Sequence, residues 1–331
     1  MIESELKACL TSTGPDANDL MDLDIAPNGQ LQVYPRSVNE LGKALFFVAR
    51  HHKVKALYLL APNGDPLAGD TFEGDAISSG RIEPGLTLQV CPMNPANATA
   101  LRQTFAFTKP VIIGLDDSFG FGDRLGLANP AHLRSLQGHP MRPILAQQSI
   151  RELERTERTA QEVMDVATWA VFQEGYRDGF GADADHLKTT ADIDLMVQAG
   201  FLMFTIDPGA FVVNEADTLA VEALGERVQH LDWDLLEDTL DGCLGRYEGR
   251  ELAVSDHFSL RPGREDVLRA LTKYGGVITH TVKMVRYLTS TYPDHPTEIE
   301  LSVDETESVT SPFEHYLVVN ELKRLGVRLV S

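Results

Sequence analysis

The feature that most narrows the fold is the alternation, from Pro110 onward, of short apolar runs with capped segments of helical period. VIIGL (111–115) and PILAQ (143–147) are continuous and apolar, as parallel strands buried on both faces are. Thr159 with Glu162 then opens a helix. It carries Val163, Val166, Ala167 and Ala170 on one face, with Gly175 as its stop. ADADHL (182–187) predicts a third strand. Thr189 and Asp192 cap a helix with Ile193 and Met196 inward, Gly200 ends it, and FLMFTI (201–206) predicts a fourth strand. EIELSV (298–303) predicts a fifth. Ser311, Pro312 and Glu314 begin another helix that Gly326 ends, and VRLV (327–330) predicts a sixth strand. Such βα units build a parallel sheet, either a barrel or a doubly wound sheet, and the pattern alone does not separate the two.

Residues 208–296 are longer than one crossover needs and hold helical stretches around 214–243 and 264–290, which predicts an elaborated insertion. Residues 1–108 read as a separate α+β module. Two short β-like runs each adjoin a Pro-Asn-Gly turn, at 27–29 and 62–64. Between them Ser37 and Glu40 suggest a capping box, and Leu41, Ala44, Leu45 and Val48 recur at helical spacing, so a helix is expected there. His51 and His52 then read as cations near its C-terminus. The division expected is therefore 1–108 and 109–331. Ser331 follows the sixth predicted strand directly, so an eight-stranded barrel would be cut short, with open edges and an uncovered apolar interior.

Charge bounds the partners. With 29 Lys and Arg against 49 Asp and Glu, the formal charge is -20, a field that repels phosphate backbones and disfavours nucleic acid. A small anionic substrate would need a local Arg or Lys clamp. Cys9, Cys91 and Cys243 are far apart and outside any CxxC spacing, as reduced thiols of a cytoplasmic protein are. No run of about 18 apolar residues and no basic-then-apolar N-terminus occurs, so neither membrane nor export is expected. Oligomeric state is not legible.

Function in either α/β architecture sits at the C-terminal ends of the strands. That selects Asp116, Asp117, Asp123 and Arg124, then Gln147 and Gln148, then Asp185, His186 and Lys188. Asp207 follows the fourth strand, and Asp304, Glu305 and Glu307 the fifth, with Glu300 inside that strand. GLDDSFGFGDRLG has its glycines spaced GxGxxxG and opens on two acids that would repel a pyrophosphate. It reads as a tight active-site loop with Asp123 and Arg124 aimed at substrate, or as a structural Asp-Arg pair. In GADADHLKT an Asp, a His and a Lys fall within four residues. Pleat alternation puts Asp183 and Asp185 on one face and His186 on the other, unless the strand ends there. Glu300 lies between Ile299 and Leu301, where an ionised carboxylate is costly without a cation or a hydrogen-bond partner. Asp, His, Lys and Glu at strand ends suit metal binding with acid–base chemistry. No Ser-His-Asp, Cys-His, GxSxG or P-loop signature is present.

FGFGDRLGLANPAH, PILAQQSIRELERTERT, GADADHLKT, FTIDP, ELSVDETE and SPFEHYLVVNELKRLGV together resemble the tagaturonate epimerase family. The resemblance implies a TIM-type (β/α) barrel, here with about six strands, and interconversion of tagaturonate and fructuronate with a divalent metal. It makes Asp185 the proton acceptor, Glu300 the proton donor and His186 a metal ligand, with further histidine ligands beyond the point where this chain stops. Asp123, Arg124, Gln147, Lys188 and Asp304 are the substrate-binding candidates, Arg124 and Lys188 as cations for the sugar-acid carboxylate. A metal-dependent aldolase or sugar isomerase on the same barrel, and an inactive barrel fragment, are the competing expectations.

Overall fold

The computed structural model describes residues 1–11, 20–25, 29–304 and 306–331. They form two compact units, Met1–Asp183 with Ala199–Phe201, and Ala184–Gln198 with Leu202–Ser331.

The first unit opens with α1 (Ile2–Leu10) and an antiparallel sheet. Its strands are β1 (Met21–Asp24), β2 (Gln30–Val33), β3 (Asn39–Leu41), β4 (Ala44–His51), β5 (Val54–Pro62), β6 (Asp75–Ile77) and β7 (Leu86–Cys91), in the order β1-β2-β4-β5-β7-β6 with β3 on β4. α2 (Pro95–Thr104) follows. The helix expected across Leu41, Ala44, Leu45 and Val48 is instead the end of β3 and strand β4, and the reason is the burial of β4 on both faces. Leu45, Phe47 and Ala49 enter one apolar core with Ile2 and Leu6 of α1. Ala44, Phe46 and Val48 enter a second with Leu101, Phe105, Trp169 and Phe172. A strand with two dry faces loses the alternation that would mark it. Ser37 caps no helix: its hydroxyl accepts from Val48 N at 2.7 Å and donates to Tyr34 O at 2.6 Å. His51 and His52 accordingly sit at the β4–β5 turn, their rings tilted to each other with centroids 4.4 Å apart. Of the two Pro-Asn-Gly turns, Pro27 and Asn28 lie outside the described residues.

The same unit continues with β8 (Ser118–Gly120), α3 (Asn129–Ser135), β9 (Arg142–Gln147), α4 (Ile150–Thr156), α5 (Ala160–Glu174) and β10 (Gly181–Leu187), β9 lying parallel to both β8 and β10. VIIGL is not a strand. Val111 N reaches Phe180 O, but Gly114 turns the chain at φ +68° and no ladder forms. The pairing strand is β8, seven residues later. Asp116 and Asp117 therefore precede a strand instead of following one, and Asp116 pairs with Arg142 at 3.3 Å.

In the second unit come the rest of β10, α6 (Thr190–Ala199), β11 (Met203–Ile206), α7 (Val221–Val228), α8 (Leu240–Tyr247), the hairpin β12 (Leu252–Ser255) and β13 (Phe258–Leu260), α9 (Arg264–Thr291), β14 (Glu298–Leu301) and α10 (Pro312–Arg324). β10, β11 and β14 adjoin in that order, with β11 parallel to β14 from Met203↔Glu298 to Ile206↔Leu301. The expected insertion is thus helices, a hairpin and the 28-residue α9. VRLV forms only one parallel bridge, Ile299↔Leu329, in place of a sixth strand. Among the described residues, no helix is long and apolar enough to cross a membrane.

Capping boxes at Thr159 and Ser311 and the αL stop at Gly175, φ +59°, are as the sequence predicts. At Gly175 a Cβ would lie 2.4 Å from the backbone oxygen of Arg36, whereas at Gly200, φ +87°, it would meet nothing within 4 Å. Both substitutions pay for a left-handed backbone, roughly 1–2 kcal/mol. Gly175→Ala adds a clash with main chain and is expected to lower the urea midpoint clearly more than Gly200→Ala. Equal midpoints for the two variants would contradict the packing described here.

Candidate functional site

β10 carries the first pieces of the site. His186 has φ +57°, the left-handed region, at the point where the strand is about to end. That twist breaks the pleat. Asp185 and His186, which alternation would send to opposite faces, meet instead, with His186 Nδ1 2.6 Å from Asp185 Oδ1. The chain then turns into α6. The Asp192 carboxylate accepts from Lys188 N at 3.0 Å and Thr189 N at 2.8 Å, the cap that the sequence predicts.

β14 delivers the second group. Its register sets Glu300 beside Thr205 of β11, whose hydroxyl hydrogen-bonds the Glu300 carboxyl. Beyond the strand, Asp304 Oδ2 lies 3.4 Å and Ser302 Oγ 3.5 Å from His186 Nε2. Both ring nitrogens of His186 therefore face carboxylates. β10 and β14 thus bring His186 to Asp185, Ser302 and Asp304, and leave Glu300 within electrostatic reach of Asp185 and His186. Lys188 points its ammonium to Asp207, Nζ 3.2 Å from Oδ2. Glu305 lies outside the described residues.

The electrostatics separate the acids. Burial raises Glu300 above the ordinary glutamate range, and the Asp185 charge raises it further, against the Thr205 hydrogen bond and His186. Burial opposes charge on His186, but Asp185 and Asp304 outweigh it and raise the imidazole. Partial desolvation opposes charge on the exposed Asp304, but the His186 contact holds it low. Burial pushes the thiols of Cys91 and Cys243 up to about 12, which removes them as nucleophiles.

Among the described residues, no three His, Cys, Asp or Glu side chains are grouped to hold a metal ion.

The remaining candidates lie in the first unit and are built into it. Asp123 is buried and accepts from Leu127 N at 3.0 Å, Ala128 N at 2.7 Å and Asn129 N at 3.0 Å, which caps α3. Arg124 pairs with Glu152. Gln147 donates to Asp183 at 3.0 Å, and its amide occupies the space beside Gly120, where a Cβ would sit 2.6 Å from Gln147 Oε1. Sequence reasoning missed His280 on α9. Its ring hydrogen-bonds the Lys188 backbone and stacks on Phe211 at 4.2 Å, and its Nε2 is buried without a partner. The only signal was a histidine on a long helix, which carries little information.

The family model described as tagaturonate epimerase matches residues 34–331. The chain belongs to the tagaturonate epimerase family. A relative in Thermotoga maritima, named tagaturonate/fructuronate epimerase, is 38% identical over 300 residues, 91% of this chain and 59% of its own length. The glycerol-complexed crystal structure of fructuronate-tagaturonate epimerase UxaE from Cohnella laeviribosi is similar at TM-score 0.80 and 30% identity, covering 90% of this chain and 58% of that one. The native form gives TM-score 0.78 at 31% identity, with 92% and 59% covered. The chain thus spans less than two thirds of the length of these tagaturonate epimerase relatives.

Two outcomes follow for this family member. A group whose folded pKa is raised costs stability increasingly as pH rises from its unfolded value through its folded one, so ionised Glu300 is a liability at neutral pH. Glu300→Gln should melt higher than the parent at pH 7–8, with the gap closing toward pH 4; a lower melting point throughout would contradict this. Asp123→Ala removes a helix cap and should cost about 1–2 kcal/mol in urea titration. Loss of substrate affinity with unchanged stability would instead make Asp123 a binding residue.

Proposed function

We propose that this chain carries the acid–base half of a tagaturonate/fructuronate epimerase, an isomerase of sugar acids. The observation that supports it best is the placement of Asp185, His186 and Glu300 on β10 and β14, the two strands that flank β11, within a chain 38% identical to a protein of that name. We read the parallel strands as part of a TIM-type barrel and the protein as cytoplasmic. Its three cysteines are free, as suits a reducing compartment.

The inverted carbon is β to the ketone, so its C–H is not acidic and enolisation cannot reach it. Retro-aldol chemistry can. Asp185 accepts the hydroxyl proton at that carbon, the oxygen's electrons form a carbonyl, and the adjacent C–C bond breaks to leave an enolate on the ketone fragment. The aldehyde turns, the bond re-forms on its other face, and Glu300 gives a proton to the new alkoxide. Glu300 suits the donor role because burial keeps its proton on at higher pH. Lys188 is the cation proposed for the negative charge on substrate. Metal binding is proposed separately, with His186 as the ligand from this chain; a divalent ion there would supply Lewis-acid polarisation.

In a hexuronate conversion assay with added divalent metal, Asp185→Asn and Glu300→Gln should each lower turnover by roughly 100-fold, with unchanged circular dichroism. His186→Ala should lower bound metal, read by elemental analysis, as well as turnover. Near-parent turnover in either carboxamide variant removes that residue from the mechanism, and unchanged metal content in His186→Ala removes the ligand assignment.

A further inference from the structure

Lys273 is the one Lys or Arg among the described residues whose side chain is buried, at 1% exposure. It lies on the inward face of α9, one turn from Ala270 and one from Val277. Its ammonium is satisfied by three separate segments. Asp217, in the short turn Asn214–Asp217, contributes both oxygens at 3.0 and 2.9 Å, and Ser308 Oγ is at 2.6 Å. Glu314, in the first turn of α10, is 3.7 Å away. Ser308 in turn donates to Asp217 at 2.6 Å. The neighbouring residue on α9 repeats the contact, with Tyr274 OH 2.9 Å from Thr310 Oγ1, and Glu307 N donates to Asn214 at 3.3 Å.

These contacts all hold the segment between β14 and α10, the one that begins with Ser302 and Asp304 against His186. We propose that Lys273 is a positioning residue that fixes this segment and so holds Asp304 at His186. A buried ion cluster is a poor stability device, because desolvation consumes most of its Coulombic gain and apolar residues of equal volume serve as well. What it supplies is geometric specificity, since the ammonium bonds Ser308 when the segment takes the path seen here. Asp304 is more than half exposed, so burial does little to fix its position. The consequence for catalysis rests on the epimerase reading; the clamp itself does not.

The test is the double variant Ser308→Ala, Thr310→Val, which removes the segment's side of the clamp and leaves the Lys273–Asp217 pair intact. Backbone amide exchange at 302–304 and 306–311 should accelerate about tenfold, the scale of one charged hydrogen bond, with exchange of α9 unchanged. In the epimerase assay kcat should fall about tenfold with KM nearly constant. Parent-like exchange in the segment overturns the clamp. Accelerated exchange with parent kcat, in a parent that epimerises, overturns the positioning role. If the parent shows no epimerisation, the functional reading fails and the exchange result alone decides the clamp. Lys273→Met serves as the second variant and should show the same segment exchange, together with a lower melting point from the unpaired Asp217.

Discussion

A left-handed residue near the end of a strand is an unfavourable choice for anything but glycine, and His186 makes it. The cost is on the order of 1–2 kcal/mol, and it persists only where surrounding contacts over-determine the backbone. Here they do. Asp185 takes one ring nitrogen, Asp304 and Ser302 lie at the other, and Asp192 fixes the next turn through two amides. Without that twist, the pleat would turn Asp185 and His186 to opposite faces, and their contact would not exist.

On the proposed function, the same arrangement answers the problem of holding an anionic sugar on a chain of charge -20. Bulk charge cannot attract such a ligand, so attraction has to be local and short-ranged. The site does not simply add cations. It sets carboxyls in opposite states, Glu300 pushed toward its neutral form and Asp304 held ionised by the imidazole, which limits the negative charge facing the substrate while keeping a proton available. Lys188 is already balanced by Asp207, so its contribution depends on how a substrate carboxylate competes for it.

How much of this the sequence carries depends on the kind of signal. β9, β10, β11 and β14, the caps at Thr159, Thr189 and Ser311, and the stop at Gly175 are local, each written in a few adjacent residues. The residues at the ends of β10 and β14 were legible for the same reason. β4 was misread because burial on two faces is a property of the assembled sheet, and VIIGL because β-branched residues permit a strand without supplying it a partner. Asp123 shows a further limit: an acid after a strand looks the same in sequence whether it waits for a ligand or caps the next helix. Lys273 left one faint trace, a cation inside the apolar stripe of α9, whose meaning depends on partners 56 and 35 residues away.

The two-faced burial of β4 has a consequence for how faithfully its sheet assembles. In an ordinary amphipathic strand a one-residue slip puts polar groups into the core, so polarity itself polices alignment. β4 lacks that safeguard between Ala44 and Ala49, since either face would accept apolar side chains and only their shapes differ. Alignment must be keyed by the few directional contacts at the strand's margins: Val48 N on the Ser37 hydroxyl, and Arg50 Nε on Gln32 at 2.8 Å opposite it in the ladder. These small polar contacts act as proofreading marks, and their loss would be felt first as heterogeneity during refolding and only later as lost equilibrium stability.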